Sequence, residues 1–337
     1  MKRKIGKLHL SAIILSIIML FSSVTTAFAA TSTNKQTNEL KHCSKVKDVY
    51  KAIGGKKVAK LENNKIILTK DAVIKRGIDI GCSEVIIDLN GKDLKADFTS
   101  SNIIQVSSGN LTIEDSNNIG AIKYLTDVRN YAVRLTGGSL VLNSGSVQGM
   151  EVMNANVTIN GGSVYSDFVN GVLDISYDSN VVMNNGFIYA HSDAVRVGSK
   201  DNTRGNFTMN GGSVKSMYSD GIYVMEGSAN INGGVVVASN FYERELFAAV
   251  VCNTSELNIT GGKFISNKTA LITYASLDKT ISGGRFISNE AAIWIKAGDN
   301  SNVGKIIKDG YKLVNSFGGS VDPSCRKTSS EVRVVPN

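Results

Sequence analysis

The sequence predicts an all-β chain wound as a solenoid with three short strands per coil, and three observations carry that prediction. A glycine turn recurs: Asn160-Gly161-Gly162 returns as Asn210-Gly211-Gly212, Asn232-Gly233-Gly234, Thr260-Gly261-Gly262 and Ser282-Gly283-Gly284, with looser copies at Asn143-Ser144-Gly145 and Asn184-Asn185-Gly186. The last glycines of these turns step by 17, 24, 26, 22, 28 and 22 residues, a spacing that fits one coil of a stacked repeat. Between the turns, apolar and polar residues alternate with period two, the pattern of half-buried strands. Composition agrees: 33 Gly stand against 2 Pro in 337 residues, which suits a fold of many turns and many ladder donors, and excludes collagen-like and Pro-rich disordered chains.

From the N-terminus, Lys2, Arg3, Lys4 and Lys7 precede an apolar run from Leu10 to Phe21 and a small-x-small site at Ala27-Phe28-Ala29. Residues 1–29 therefore read as a secretory signal peptide. No later segment approaches the roughly 18 apolar residues needed to span a bilayer, so the mature chain is expected to be secreted, without membrane insertion. Ala30 and Thr31 stand where a lipoprotein would carry Cys, and Val335-Pro336-Asn337 offers no apolar anchor. Removing residues 1–29 takes away four of the 37 Lys and Arg and none of the 29 Asp and Glu, so the formal charge of +8 falls to about +4. The remaining basic residues are scattered without an aromatic-basic block, and no nucleic-acid partner is expected.

Residues 30–42 read as a disordered leader. Val46, Val49, Tyr50 and Ile53 then fall at i, i+3, i+4 and i+7, one apolar face of a short helix that would plug the first open coil. Residues 43–84 are read as this cap with the first coil, and residues 85–300 as the solenoid proper. In each coil a first strand follows the glycine turn (Val164-Tyr165-Ser166, Ile188-Tyr189-Ala190), a second begins at a small residue (Ala194-Val195-Arg196-Val197, Gly221-Ile222-Tyr223-Val224), and a third leads to the next turn (Phe207-Thr208-Met209).

Stacking the coils makes Val164, Ile188, Val214, Val236, Phe264 and Phe286 one inward column, with Ser166, Ala190, Ser216, Ala238, Ser266 and Ser288 two positions on. Asn143, Asn160, Asn184, Asn210 and Asn232 align at a corner, where stacked amides bond one another. Tyr311-Lys312-Leu313-Val314 and Val332-Arg333-Val334-Val335 are strands expected to cover the last coil within a C-terminal β cap, residues 301–337. Cys43, Cys82, Cys252 and Cys325 match no zinc spacing; a Cys43–Cys82 bridge and free thiols both remain open.

Val85-Ile86-Ile87-Asp88-Leu89-Asn90-Gly91-Lys92-Asp93-Leu94, then Leu111-Thr112-Ile113-Glu114-Asp115-Ser116, then the Asn-Gly-Gly turns resemble the secreted right-handed parallel β-helix proteins of bacteria with a pectate-lyase-like fold. The resemblance spans about residues 45–315. It implies a right-handed parallel β-helix; because that family holds lyases, hydrolases and adhesins, it implies no single reaction.

Polysaccharide-active β-helices use an outward strand face, so polar residues that align between coils are the candidates. Just before the second strand, Asn170, Asp193 and Asp220 share one position in three consecutive repeats; His191, Arg196 and Tyr223 lie around them. Two carboxylates on adjacent coils would hold one proton between them, the arrangement that acid-base cleavage of a glycosidic bond uses. A lyase would instead take Arg196 or a neighbour as base, with calcium as an added cation; otherwise no cofactor is expected. Asp or Asn before a small residue also caps tight turns, and that structural role is the competing reading. The longest coil carries an insertion at Ser239-Asn240-Phe241-Tyr242-Glu243-Arg244-Glu245, where Tyr242, Glu243 and Arg244 would wall a cleft, and Trp294 follows in the column of Tyr223 as a surface for sugar rings. Two functions follow: a secreted β-helix that recognises an extracellular polysaccharide or cell-surface glycan, either by binding alone or, as lyase or glycoside hydrolase, with cleavage; or a noncatalytic surface or matrix adhesin, or structural solenoid, binding a host or surface protein.

Overall fold

A computed structural model describes residues 40–167, 171–199, 203–239, 246–254, 256–298 and 301–337. The signal-peptide segment and most of the leader lie outside these residues, as do Asn170, Tyr242, Glu243 and Arg244. The described chain is an all-β solenoid whose three strands per coil stack into three sheets. Among the described residues, first strands together with Tyr311–Val314 and Glu331–Pro336 form a 12-stranded sheet, second strands with Lys41–Cys43 an 11-stranded sheet, and third strands with Ala59–Glu62 a 10-stranded sheet. Between successive coils the pairing is parallel and in register, as in Val164↔Ile188↔Val214↔Val236↔Phe264↔Phe286.

Register explains the columns. Period-two alternation sends one face of each strand inward, and in-register stacking then places like on like. The apolar column of the first sheet is at most 1% exposed throughout, and the rings of Phe264 and Phe286 stack with centroids 4.8 Å apart. Burial of each such ring contributes about 2 to 3 kcal/mol. At the corner between the third and first sheets, Asn160 Nδ2 donates to Asn143 Oδ1 at 3.0 Å, and Asn184, Asn210 and Asn232 continue the chain of amides, each at 2.9 Å. A second ladder, unforeseen from the sequence, runs along the third sheet from Asn156 through Asn180 to Asn206.

Both ends are closed. The helix Val46–Ile53 buries Val49 and Ile53 and stops at Gly54, whose φ of +130 turns its N–H back to the carbonyl of Lys51. At the far end Glu331–Pro336 pairs antiparallel with Arg285–Ser288, and Tyr311–Val314 pairs with it in turn. An antiparallel partner ends the stack, because no further coil can add beyond it. Among the described residues no helix is long and apolar enough to cross a membrane.

One detail differs from expectation, and one open alternative is decided. The leader expected to run through residue 42 ends sooner: Lys41–Cys43 is a strand paired with Ile78–Ile80, and its ladder bonds cover the edge of the second sheet. The four cysteines are free thiols. Cys43 aligns with Ile80, while Cys82 lies two residues further along, past the end of that strand. Burial pushes the Cys43 thiol up to about 11.

Candidate functional site

The outer face of the second sheet carries one continuous column. Register aligns Arg134 with Glu151, Glu151 with Asp174, Asp174 with Arg196, Arg196 with Tyr223, then Val251, Ile272 and Trp294. Each charged member is the middle residue of an apolar-charged-apolar strand: Val133-Arg134-Leu135, Met150-Glu151-Val152, Leu173-Asp174-Ile175 and Val195-Arg196-Val197. The flanking apolar residues are fully buried in the solenoid, so the charged one has to point out.

Glu151 and Asp174 therefore sit on adjacent strands, about 4.8 Å apart at the backbone. An arginine stands on either side. Arg134 Nε lies 2.9 Å from Glu151 Oε2, close enough for ionic attraction although the N–H is not aimed for a hydrogen bond. Arg196 reaches Asp193 Oδ2 at 3.0 Å and Asp174 Oδ2 at 4.0 Å. Tyr131 Oη donates to Asp174 Oδ2 at 3.3 Å. Gly171, at φ +85, lies against Arg196: a Cβ added there would meet that of Arg196 at 3.2 Å. The Nε of Arg196 is buried and has no hydrogen-bond partner among the described residues.

Loss of water around this strip sets its proton chemistry. Burial pushes the Asp174 carboxyl up to about 6; Arg196 pulls it down, and Glu151 pushes it further up. Burial also raises Glu151, against the pull of Arg134. Two neighbouring carboxyls, each with its affinity for a proton raised by burial, are the kind of pair that can share acid and base roles. The charge balance is open to test. In Arg196→Gln the Asp174 carboxyl should titrate above its wild-type value, and in Glu151→Gln below it. Carboxyl-resonance NMR titration reads both; equal values in the two variants would mean that neither charge reaches Asp174.

The carboxylates singled out from the sequence sit deeper, in the corner between first and second sheets. Asp193 Oδ1 accepts from Ser219 Oγ at 2.5 Å and from the Asp220 N–H at 3.4 Å; Asp220 Oδ1 accepts from the Ala248 N–H at 2.8 Å. Each thus ties its coil to the next, the turn-capping role. Burial first, and the Asp193 charge second, raise the Asp220 carboxyl well above the usual range. Asp193 and Arg196 are brought together, and Arg196 also joins the Glu151 and Asp174 strip. His191 is not part of it: it makes its contacts on the first-sheet side of the corner, with Asp167 Oδ1 3.3 Å from Nε2 and with the rings of Tyr218 and Tyr189.

Tyr223 continues the column and accepts a hydrogen bond from Asn253 Nδ2 at 3.0 Å. Trp294 packs against a small apolar cluster of Ala248, Val251 and Ile272, with Lys296 Nζ and Lys327 Nζ 3.8 and 3.9 Å from its ring centroid. It is half-buried and its ring is engaged by these cations, which leaves less of it for a sugar than a bare surface Trp offers. Leu246 and Phe247, just past the insertion, line a cavity with Tyr223. Among the described residues no group of three His, Cys, Asp or Glu side chains is placed to hold a metal ion.

Glu151, Asp174, Arg134 and Tyr131 were missed in the sequence. For the first three the signal was present: carrying the outward position of Arg196 back through the coils leads to each of them in turn. No family model, curated protein or solved structure matches the chain.

Proposed function

We propose that this solenoid recognises an extracellular polysaccharide on the outer face of its second sheet and cleaves it by acid-base chemistry at Asp174 and Glu151. The observation that carries the reading is the raised Asp174 carboxyl beside Glu151, bracketed by Arg134 and Arg196 on an outward strand face. A sugar chain laid across the coils meets these groups in succession. Protonated Asp174 gives its proton to the glycosidic oxygen as the C–O bond breaks. Ionised Glu151, on the adjacent strand, attacks the anomeric carbon as that bond breaks, and Asp174, now ionised, takes a proton from the water that splits the glycosyl–Glu151 ester, so that a hydrolysis is balanced by this pair. Hydrolysis is favoured over elimination with Arg196 as base. Burial alone would lower the Arg196 pKa, but the Asp193 carboxylate outweighs it and the guanidinium holds its proton more tightly than usual.

The likeness to pectate-lyase-like β-helices and the N-terminal signal pattern support an extracellular glycan as the target. The competing reading, a noncatalytic adhesin, is favoured by one observation: Asp193 and Asp220 are both spent on corner backbone. Incubation of the purified protein with neutral and acidic plant, bacterial and host polysaccharides decides between them. New reducing ends are expected from at least one. Binding without cleavage would keep glycan recognition and remove the chemistry, and silence across the panel would remove the glycan reading and leave the adhesin.

A further inference from the structure

Past Arg196 the same outer face changes character. Val251 and Ile272 point outward yet are 3% and 0% exposed, because Tyr223 and Trp294 pack beside them over Ala248. Next to this cluster lies a cavity of about 440 Å³, within the range of small-ligand sites. Leu246, Phe247, Val251 and Tyr274 supply apolar walls, and Tyr223, Asn253 and Asp220 supply the polar groups.

We propose that this cavity is a binding subsite for an uncharged sugar ring of the polysaccharide. The inference rests on the glycan reading above and names the kind of sugar. Three features select it. The walls match the apolar faces of a pyranose. The polar groups are suited to hydroxyls: Asn253 Nδ2 is engaged by Tyr223 Oη at 3.0 Å, which leaves the Asn253 carbonyl to accept and the Tyr223 O–H to donate. Asp220 is 4% exposed and has one oxygen on the Ala248 N–H; burial and the nearby Asp193 charge raise its affinity for a proton well above that of an ordinary carboxylate. Among the described residues no cation lines the cavity. The ammonium of Lys296, 5.5 Å from the Tyr274 ring, is held over Trp294 at 3.8 Å, and a uronate buried in the cavity without a partner of its own would lose its water at a penalty of several kcal/mol.

Calorimetric titration of the purified protein with hexasaccharides tests this: neutral glucose, galactose and mannose oligomers, an anionic galacturonate oligomer, and a cationic glucosamine oligomer. At least one neutral oligomer should bind, the charged ones at least about tenfold more weakly, and Asn253→Ala and Tyr223→Phe should each weaken the neutral ligand by roughly fivefold to tenfold. Equal or tighter binding of a charged oligomer, or neutral binding indifferent to both substitutions, overturns the subsite and leaves the glycan reading in place. Failure of every oligomer to bind removes the glycan reading and the subsite with it.

Discussion

Asp174→Asn is expected to make the protein more stable at neutral pH and, if the strip is catalytic, to abolish cleavage. The sign follows from the carboxyl being raised in the fold, to about 6 from the ordinary 3.8. Below pH 4 the folded and unfolded states both hold the proton and the group contributes no pH dependence. As pH rises from 4 to 6 the unfolded chain releases its proton while the folded one keeps it, so stability falls, and above 6 the loss is complete. The shift corresponds to about 3 kcal/mol at most, and partial exposure of the side chain reduces this to about 2 kcal/mol. Asparagine carries no charge at any of these pH values and escapes the penalty. Urea unfolding at pH 4 and pH 7.5 should therefore find the variant near wild type at the lower pH and more stable at the higher. Cleavage should fall by about a hundredfold to ten-thousandfold, the usual contribution of a general acid. A variant that is no more stable at pH 7.5 would mean that Asp174 is not desolvated as described. One that is more stable and fully active would place the chemistry elsewhere.

Gly227→Ala is expected to be among the most disruptive small substitutions. Gly227 has φ +106, and an added Cβ would lie 1.9 Å from the carbonyl oxygen of Gly205, its partner on the previous coil. Neither the turn nor the neighbouring backbone can yield without parting two coils, so the cost should exceed about 4 kcal/mol, the range reserved for a named structural lesion. Gly310→Ala is the control. Its φ of +83 is as unusual, yet nothing lies within 4 Å of the added atom, and the cost should be about 1 kcal/mol, that of placing a side chain in left-handed backbone. Equal denaturation midpoints for the two variants would show that backbone conformation, and not the contact between coils, governs these positions.

The fold was legible because solenoid contacts are nearly local. A residue in one coil meets its counterpart in the next about 17 to 28 residues on, so the inward column from Val164 to Phe286 and the Asn143 to Asn232 ladder could be aligned by eye and were found as aligned. The site was legible in part. Arg196, Asp193 and Asp220 stood out because they recur beside strong strands, but whether a carboxylate faces solvent or a backbone N–H is decided by the path of the corner. That path gave Asp193 and Asp220 to the Asp220 and Ala248 amides. Glu151 belongs to the coil that follows the loosest of the glycine turns, where alignment by that turn is weakest, and it was passed over.

What the amino-acid order determined by itself is the coil: where the chain turns, which face of each strand is buried, and which residues stack, since alternation and repetition are properties of the chain alone. What only the tertiary structure decided is which outward charges are starved of water. Arg134, Glu151, Asp174 and Arg196 occupy the same kind of triplet in the sequence. Asp174 alone combines an arginine that reaches it from one side, a glutamate on the other and a tyrosine hydroxyl above. Proton affinity depends on the solvent and charges that surround a group in space, and residues from Tyr131 to Arg196 come together at Asp174 only once the coils are stacked.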